Sequence, residues 1–188
     1  MSNPYPEPMT KADKVTMSRL FLAPVFFFLY IYPILPTLPT VILLWILFAA
    51  IEISDLVDGR VARSSNEVSS FGKLFDPFAD VLARITYFVC FAAEGIMPLW
   101  ILLIILYREF SIQFLRNLLS LKSIAMGARP GGKLKAGLYM VSGLLSLAYV
   151  SATRMQLGLS FLPALKILVE VSYGFAVLLS VVSFLDYL

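Results

Sequence analysis

Asp55-Leu56-Val57-Asp58-Gly59-Arg60-Val61-Ala62-Arg63 and, eight residues on, Gly72-Lys73-Leu74-Phe75-Asp76-Pro77-Phe78-Ala79-Asp80 decide how this chain is read. In a helix Asp55 and Asp58 stand at i and i+3, with Gly59 and Ala62 on the same face. Gly72, Asp76 and Asp80 repeat at i, i+4 and i+8, again one slowly drifting face. The pattern predicts two helices that each present a carboxylate pair, joined by a polar loop from Ser64 to Ser70. Four ionised carboxylates so close would repel one another strongly. Hard divalent cations resolve that repulsion, and oxygen-only ligands point to Mg²⁺, Mn²⁺ or Ca²⁺ rather than zinc.

The solvent around this site is set by composition. Of 188 residues 60% are hydrophobic and only 14% charged, whereas a soluble domain is nearer 45–50% apolar and about 25% charged. An all-α integral membrane protein is therefore expected. The single cysteine, Cys90, excludes an intrachain disulfide, and the absence of histidine removes histidine bases, zinc sites and phosphohistidine chemistry. The remaining chemistry belongs to carboxylates, metal ions, lysine and arginine. The polar, proline-rich start, Met1 to Pro8, is not read as a cleaved signal peptide.

Six apolar spans follow in order: about Ser18 to Pro33, Thr40 into Glu52, Pro77 to Ala93, Met97 to Leu121, Ala136 to Thr153, and Leu162 to Leu185. Pro77 reads as an early helical position, and Lys122 to Lys135 as a basic, glycine-containing loop. No repeat or second domain is visible, so residues 1–188 read as one six-helix domain with a short N-terminal segment, 1–17. Lys11 to Arg19 could form an amphipathic helix on the cytoplasmic surface. With a cytoplasmic N-terminus, Lys11, Lys14, Arg19, Arg60, Arg63, Lys73, Lys122, Arg129, Lys133 and Lys135 share one side. Arg154 and Lys166 fall on the other, a strong positive-inside bias. Asp55 lies roughly 22 Å along a helix from Thr40, near the interface, so both aspartate pairs open to the cytoplasm.

The arrangement Asp55-x2-Asp58-Gly59-x2-Ala62-Arg63, eight residues, Gly72-x3-Asp76-x3-Asp80 resembles the signature of the CDP-alcohol phosphotransferases at every fixed position. The resemblance implies a six-helix inner-membrane domain, usually a homodimer, with a polar cavity facing the cytoplasm. It also implies transfer of a phosphatidyl group from a CDP-linked lipid to an alcohol, with release of CMP. By the same resemblance Asp55, Asp58 and Asp76 are the core ligands of two divalent cations, Mg²⁺ or Mn²⁺. Asp80 would be the general base, sharing in coordination. Asp58, Gly59, Ala62, Arg63 and Gly72 would bind the CDP-lipid. Two metals about 3.5–4 Å apart suit a pyrophosphate and its leaving group. The plainer alternative is a set of interfacial salt bridges to Arg60, Arg63, Lys73 and Arg84.

The acceptor is read from a second cluster. Arg108 lies roughly 17 Å into the fourth span, where an unpaired guanidinium is expensive, and Arg116 follows near the same face. With Arg129, Lys133 and Lys135 they suggest an anionic acceptor, because arginine's fork suits phosphate. Tyr107-Arg108-Glu109 through Arg116, followed by Gly131-Gly132-Lys133-Leu134-Lys135, resembles the bacterial phosphatidylglycerophosphate synthases within the family. That resemblance implies CDP-diacylglycerol and sn-glycerol 3-phosphate as substrates, with Arg108, Arg116, Lys133 and Lys135 on the acceptor phosphate. The structural alternative pairs Arg108 with Glu109 or Glu52. Val81 stands where many of these synthases carry lysine, with Arg84 one turn beyond as a substitute charge. Inositol phosphate, inositol and serine therefore stay as alternative acceptors.

Phe26-Phe27-Phe28, Tyr30 and Tyr32 read as lipid-facing packing and an interfacial belt, with an acyl-chain groove as the alternative. Gly137 and Gly143 would permit close helix contact. A divalent-cation transporter also uses intramembrane carboxylates, but here they gather at one interface, and the opposite ends of the spans are nearly devoid of polar groups. No nucleic-acid partner is expected.

Overall fold

The computed structural model describes residues 10–65, 70–121, 130–158 and 160–185. Within helices, the side chains of residues 11, 12, 55–65, 70, 71, 73, 74, 130, 131 and 133 lie outside the described set. Six helices follow one another: α1 Lys11–Ile31, α2 Thr37–Ser65, α3 Ser70–Ala93, α4 Leu99–Leu121, α5 Pro130–Arg154 and α6 Leu162–Leu185. The protein is an all-α integral membrane protein. Stretches of α1, α2, α5 and α6 are each long and apolar enough to cross a bilayer. Helices α3 and α4 are as long, 24 and 23 residues, but carry Asp76, Asp80 and Arg84 and Arg108, Glu109 and Arg116.

Exposed faces are apolar where water would demand charge. Leu103, Tyr107, Phe110 and Phe114 line the outside of α4, and Ile167, Val171, Phe175 and Leu178 that of α6. Such contiguous apolar surface is stable against lipid. The 29 residues of α2 measure roughly 43 Å against about 30 Å of hydrocarbon. A helix of that length extends past the apolar slab at one end or both.

Helix α1 packs against α2 and α3, α5 against α6, and α4 bridges α3 and α6, with lesser contacts of α5 to α2 and α3. The centre is aromatic. The Phe88 ring meets Tyr87, Tyr139 and Tyr173 edge-on at centroid distances of 4.9, 5.6 and 5.8 Å, an arrangement that adds to simple area burial. Trp45 Nε1 donates to Ser151 Oγ at 3.0 Å and ties α2 to α5. A Cβ on Gly143 would lie 3.0 Å from the Phe48 ring and 3.1 Å from that of Tyr87, so this glycine lets three helices close. Among the described residues Gly137 has nothing within 4 Å of such an atom, and the close contact expected there is not among them.

Several local expectations change. Pro77 stands inside α3, not at its start, because the helix begins seven residues earlier, at Ser70. Helix α5 begins at Pro130, so Lys133 and Lys135 are helical residues rather than loop residues; residues 122–129 lie outside the described set. Lys11 to Arg19 is no separate surface helix. It forms the opening turns of α1, capped by Thr10, whose hydroxyl accepts from the Asp13 amide while the Asp13 carboxylate accepts from the Thr10 amide. The aromatic run divides by helical face: Phe26 and Tyr30 are buried and stacked, while Phe28 and Tyr32 are exposed.

Candidate active site

One face of α1 changes character along its length. Asp13, Thr16 and Arg19 are buried at i, i+3 and i+6, and the same face continues in Ala23, Phe26 and Tyr30. The apolar half seals against the aromatic core. The polar half meets α3, where Thr16 Oγ1 donates to Asp76 Oδ1 at 2.8 Å and Arg19 pairs with Asp80. Arg19 also donates to Thr16 Oγ1, at 3.5 Å. Asp76 and Asp80 stand one turn apart on α3, as their spacing predicts, and Gly72 is buried one turn earlier.

Asp55, Asp58, Gly59, Ala62 and Arg63 lie on the closing turns of α2. Their side chains are outside the described residues, so of the four aspartates expected from the sequence to bind metal only Asp76 and Asp80 are described. The described part fits a divalent cation. The donors are oxygen only, and the Thr16 hydroxyl fixes the rotation of the Asp76 carboxylate, as supporting hydrogen bonds to metal ligands do.

A second polar cluster lies between α4, α5 and α6. Arg108 Nη1 donates to both Glu109 oxygens at 3.2 and 3.1 Å, and its Nη2 donates to Ser183 Oγ at 3.0 Å. Lys135 pairs with the same Glu109 carboxylate. Tyr139 donates to Glu109 Oε1 at 3.2 Å, and its hydroxyl oxygen accepts from Ser180 Oγ at 2.9 Å. All of these residues are buried. The Arg108–Glu109 pairing, offered above as the structural alternative, is therefore present. Even so, two cations share the one carboxylate, and among the described residues Arg108 Nε is buried with no hydrogen-bond partner.

Arg84 stands one turn past Asp80 on α3, which packs against α4, the helix that carries Arg108 and Glu109. Glu52 joins through Tyr87, whose hydroxyl donates to it at 3.0 Å. Arg116 is half-buried and, among the described residues, makes no hydrogen bond or ion pair with this cluster. The Lys133 side chain lies outside the described residues.

The sequence matches the family model for CDP-alcohol phosphatidyltransferase over residues 9–182. The chain belongs to that family. Relatives agree in kind. A CDP-diacylglycerol–glycerol-3-phosphate 3-phosphatidyltransferase of Treponema pallidum is 40% identical over 76% of this chain and 67% of its own length. One of the same description from Bacillus subtilis is 32% identical over 71% and 75%. A probable phosphatidylglycerophosphate synthase of Mycobacterium tuberculosis is 30% identical over 94% and 78%. The protein is an enzyme of the CDP-alcohol phosphatidyltransferase type, and the family generally uses divalent metal ions.

Thr16, Tyr139, Ser180 and Ser183 escaped the sequence reading, and Arg19 entered it only as a topological charge. A hydroxyl or tyrosine in an apolar span gives no local sign of what it bonds. Thr16 and Arg19 did carry one available signal: with Asp13 they continue the buried i, i+3, i+4 stripe of α1.

At the opposite end of the bundle the few polar groups find each other. Glu94 pairs with Arg154 and accepts from the Tyr30 hydroxyl at 2.7 Å, and Arg154 also donates to the Tyr30 carbonyl at 3.0 Å. They border an open cavity of about 500 Å³ with Thr37 and Thr40. That end is therefore not as devoid of polar groups as the sequence reading expected.

Proposed function

We propose that the protein, as a single domain, transfers the phosphatidyl group of CDP-diacylglycerol to sn-glycerol 3-phosphate. The products are phosphatidylglycerophosphate and CMP. The similarity to three synthases of this description supports the reaction. The two cations gathered on Glu109, Arg108 and Lys135, support an anionic acceptor, because a guanidinium fork and an ammonium suit a phosphate group.

In this reading Asp55, Asp58, Asp76 and Asp80 hold two divalent cations, Mg²⁺ or Mn²⁺. When bound, those ions neutralise the pyrophosphate and stabilise the departing CMP. Asp58, Gly59, Ala62, Arg63 and Gly72 receive the CDP-lipid. Arg108 and Lys135, with Arg116, Lys133 and Arg84, hold the acceptor phosphate and bring its hydroxyl towards Asp80. Asp80 takes the hydroxyl proton as the oxygen attacks the lipid-side phosphorus. The bond from that phosphorus to the bridging oxygen breaks, and the electron pair leaves with CMP. Arg84 gives Val81's neighbourhood the charge that a lysine supplies in related synthases. The site opens to the cytoplasm of an inner-membrane protein, as the lysine and arginine bias supports, and the enzyme works as a homodimer.

The test is CMP release by purified protein in detergent, with CDP-diacylglycerol and Mg²⁺ or Mn²⁺. Glycerol 3-phosphate, inositol phosphate, inositol and serine are supplied singly. Release with glycerol 3-phosphate alone, abolished by chelator, is expected. Release with another alcohol would replace the acceptor and keep the chemistry.

A further inference from the structure

The buried polar stripe at the start of α1 has no packing rationale of its own. An apolar continuation of Ala23, Phe26 and Tyr30 would seal α1 to α3 without removing a hydroxyl and a guanidinium from water. Instead Thr16 and Arg19 are both almost completely buried, at 0% and 1% exposure. Among the described residues their contacts reach both aspartates of α3. We propose that Thr16 and Arg19 are positioning residues of the reaction: Arg19 holds Asp80 directly, and Thr16 orients Asp76 while accepting from Arg19.

The two act on different steps. Thr16 donates through its only hydrogen to a carboxylate that serves as a metal ligand. Its loss frees that carboxylate to rotate and weakens cation binding. Arg19 sets one guanidinium nitrogen, Nη1, against Oδ1 of the carboxylate that receives the acceptor's proton, while Nη2 reaches Thr16. Its loss displaces that carboxylate, and a misplacement of about 1 Å costs roughly 10²-fold in rate. No group is consumed: both side chains end the reaction as they began it. The inference rests on the assignment of Asp76 and Asp80 under the proposed function.

The test uses the full chain in detergent, with Thr16→Val, Thr16→Ser, Arg19→Gln and Arg19→Lys. Mn²⁺ binding is read directly from the loss of the free-ion EPR signal, and kcat and KM from CMP release. Thr16→Val keeps the buried shape and should weaken Mn²⁺ binding about tenfold, the worth of one charge-assisted hydrogen bond. Thr16→Ser should bind as the parent does. Arg19→Gln should lower kcat about 10²-fold with both KM values nearly unchanged, and Arg19→Lys should recover part of that loss.

Unchanged Mn²⁺ affinity in Thr16→Val together with parental kcat in Arg19→Gln would overturn the proposal. Equal losses in the conservative and non-conservative variants would also overturn it, since packing alone would then explain them. If Arg19→Gln does not stay monodisperse, Arg19→Lys decides: a parental kcat would remove Arg19 from the role. Absence of CMP release from the unmutated protein would be a failure of the proposed function itself. Mn²⁺ binding by the Thr16 variants would still decide the Thr16 half.

Discussion

Lys135 of α5 and Arg108 of α4 meet on one buried carboxylate, that of Glu109. The arrangement joins two helices through charge, as Arg19 and Asp80 join α1 to α3. Removing the shared anion leaves two buried cations side by side, and breaking such a group costs about 3–5 kcal/mol. Glu109→Gln should therefore lower the Tm in detergent strongly. Adding Lys135→Met should restore part of the loss, giving a favourable coupling in a double-mutant cycle. Independent, additive losses would show that the charges do not act as a unit.

Arg108 also tests the acceptor. Arg108→Lys keeps a positive charge but gives up the planar fork that binds Ser183 and Glu109. KM for glycerol 3-phosphate should rise about tenfold or more, the worth of a charge-assisted bond, while KM for CDP-diacylglycerol stays the same. A rise in the nucleotide-lipid KM instead would move Arg108 to the other substrate.

Asp80→Asn removes the proton acceptor while keeping size and shape. Loss of a general base costs about 10²–10⁴-fold, so CMP release should nearly vanish, with Mn²⁺ binding largely retained. Near-parental turnover would mean that the carboxylate only supports structure.

Two glycines of α5 should respond oppositely to an added side chain. Gly143→Val forces two branches into the contact with Phe48 and Tyr87, an overpacking that costs about 1–3 kcal/mol, and should depress the Tm. Gly137→Ala meets open space and removes a helix-interior glycine, worth about 0.5–1 kcal/mol of stabilisation. A lower Tm in Gly137→Ala would reveal a partner surface on that face of α5.

The Glu94–Arg154 pair supplies a control. Its side chains keep 37% and 21% of their exposure, and screened pairs of this kind contribute about 0–1 kcal/mol. Glu94→Gln should shift the Tm slightly and leave CMP release intact, in contrast to Glu109→Gln.

By itself the sequence determined the solvent, the helices and the chemistry. Hydropathy and the 3.6-residue period are local properties, so the six helices, the one-turn spacing of Asp76 and Asp80, and the family were legible without coordinates. The α2 and α3 boundaries and the start of α5 were not, because a helix continues through charged and glycine-containing residues where hydropathy stops. Only tertiary structure decided which side chains meet across helices. It sent Phe26 inward and Phe28 outward, set Arg108 and Lys135 on one carboxylate, and delivered Thr16 and Arg19 to the aspartates of α3. The reason is physical: contact between helices depends on their mutual register and rotation, and these follow from packing over the whole interface rather than from the spacing of any one motif.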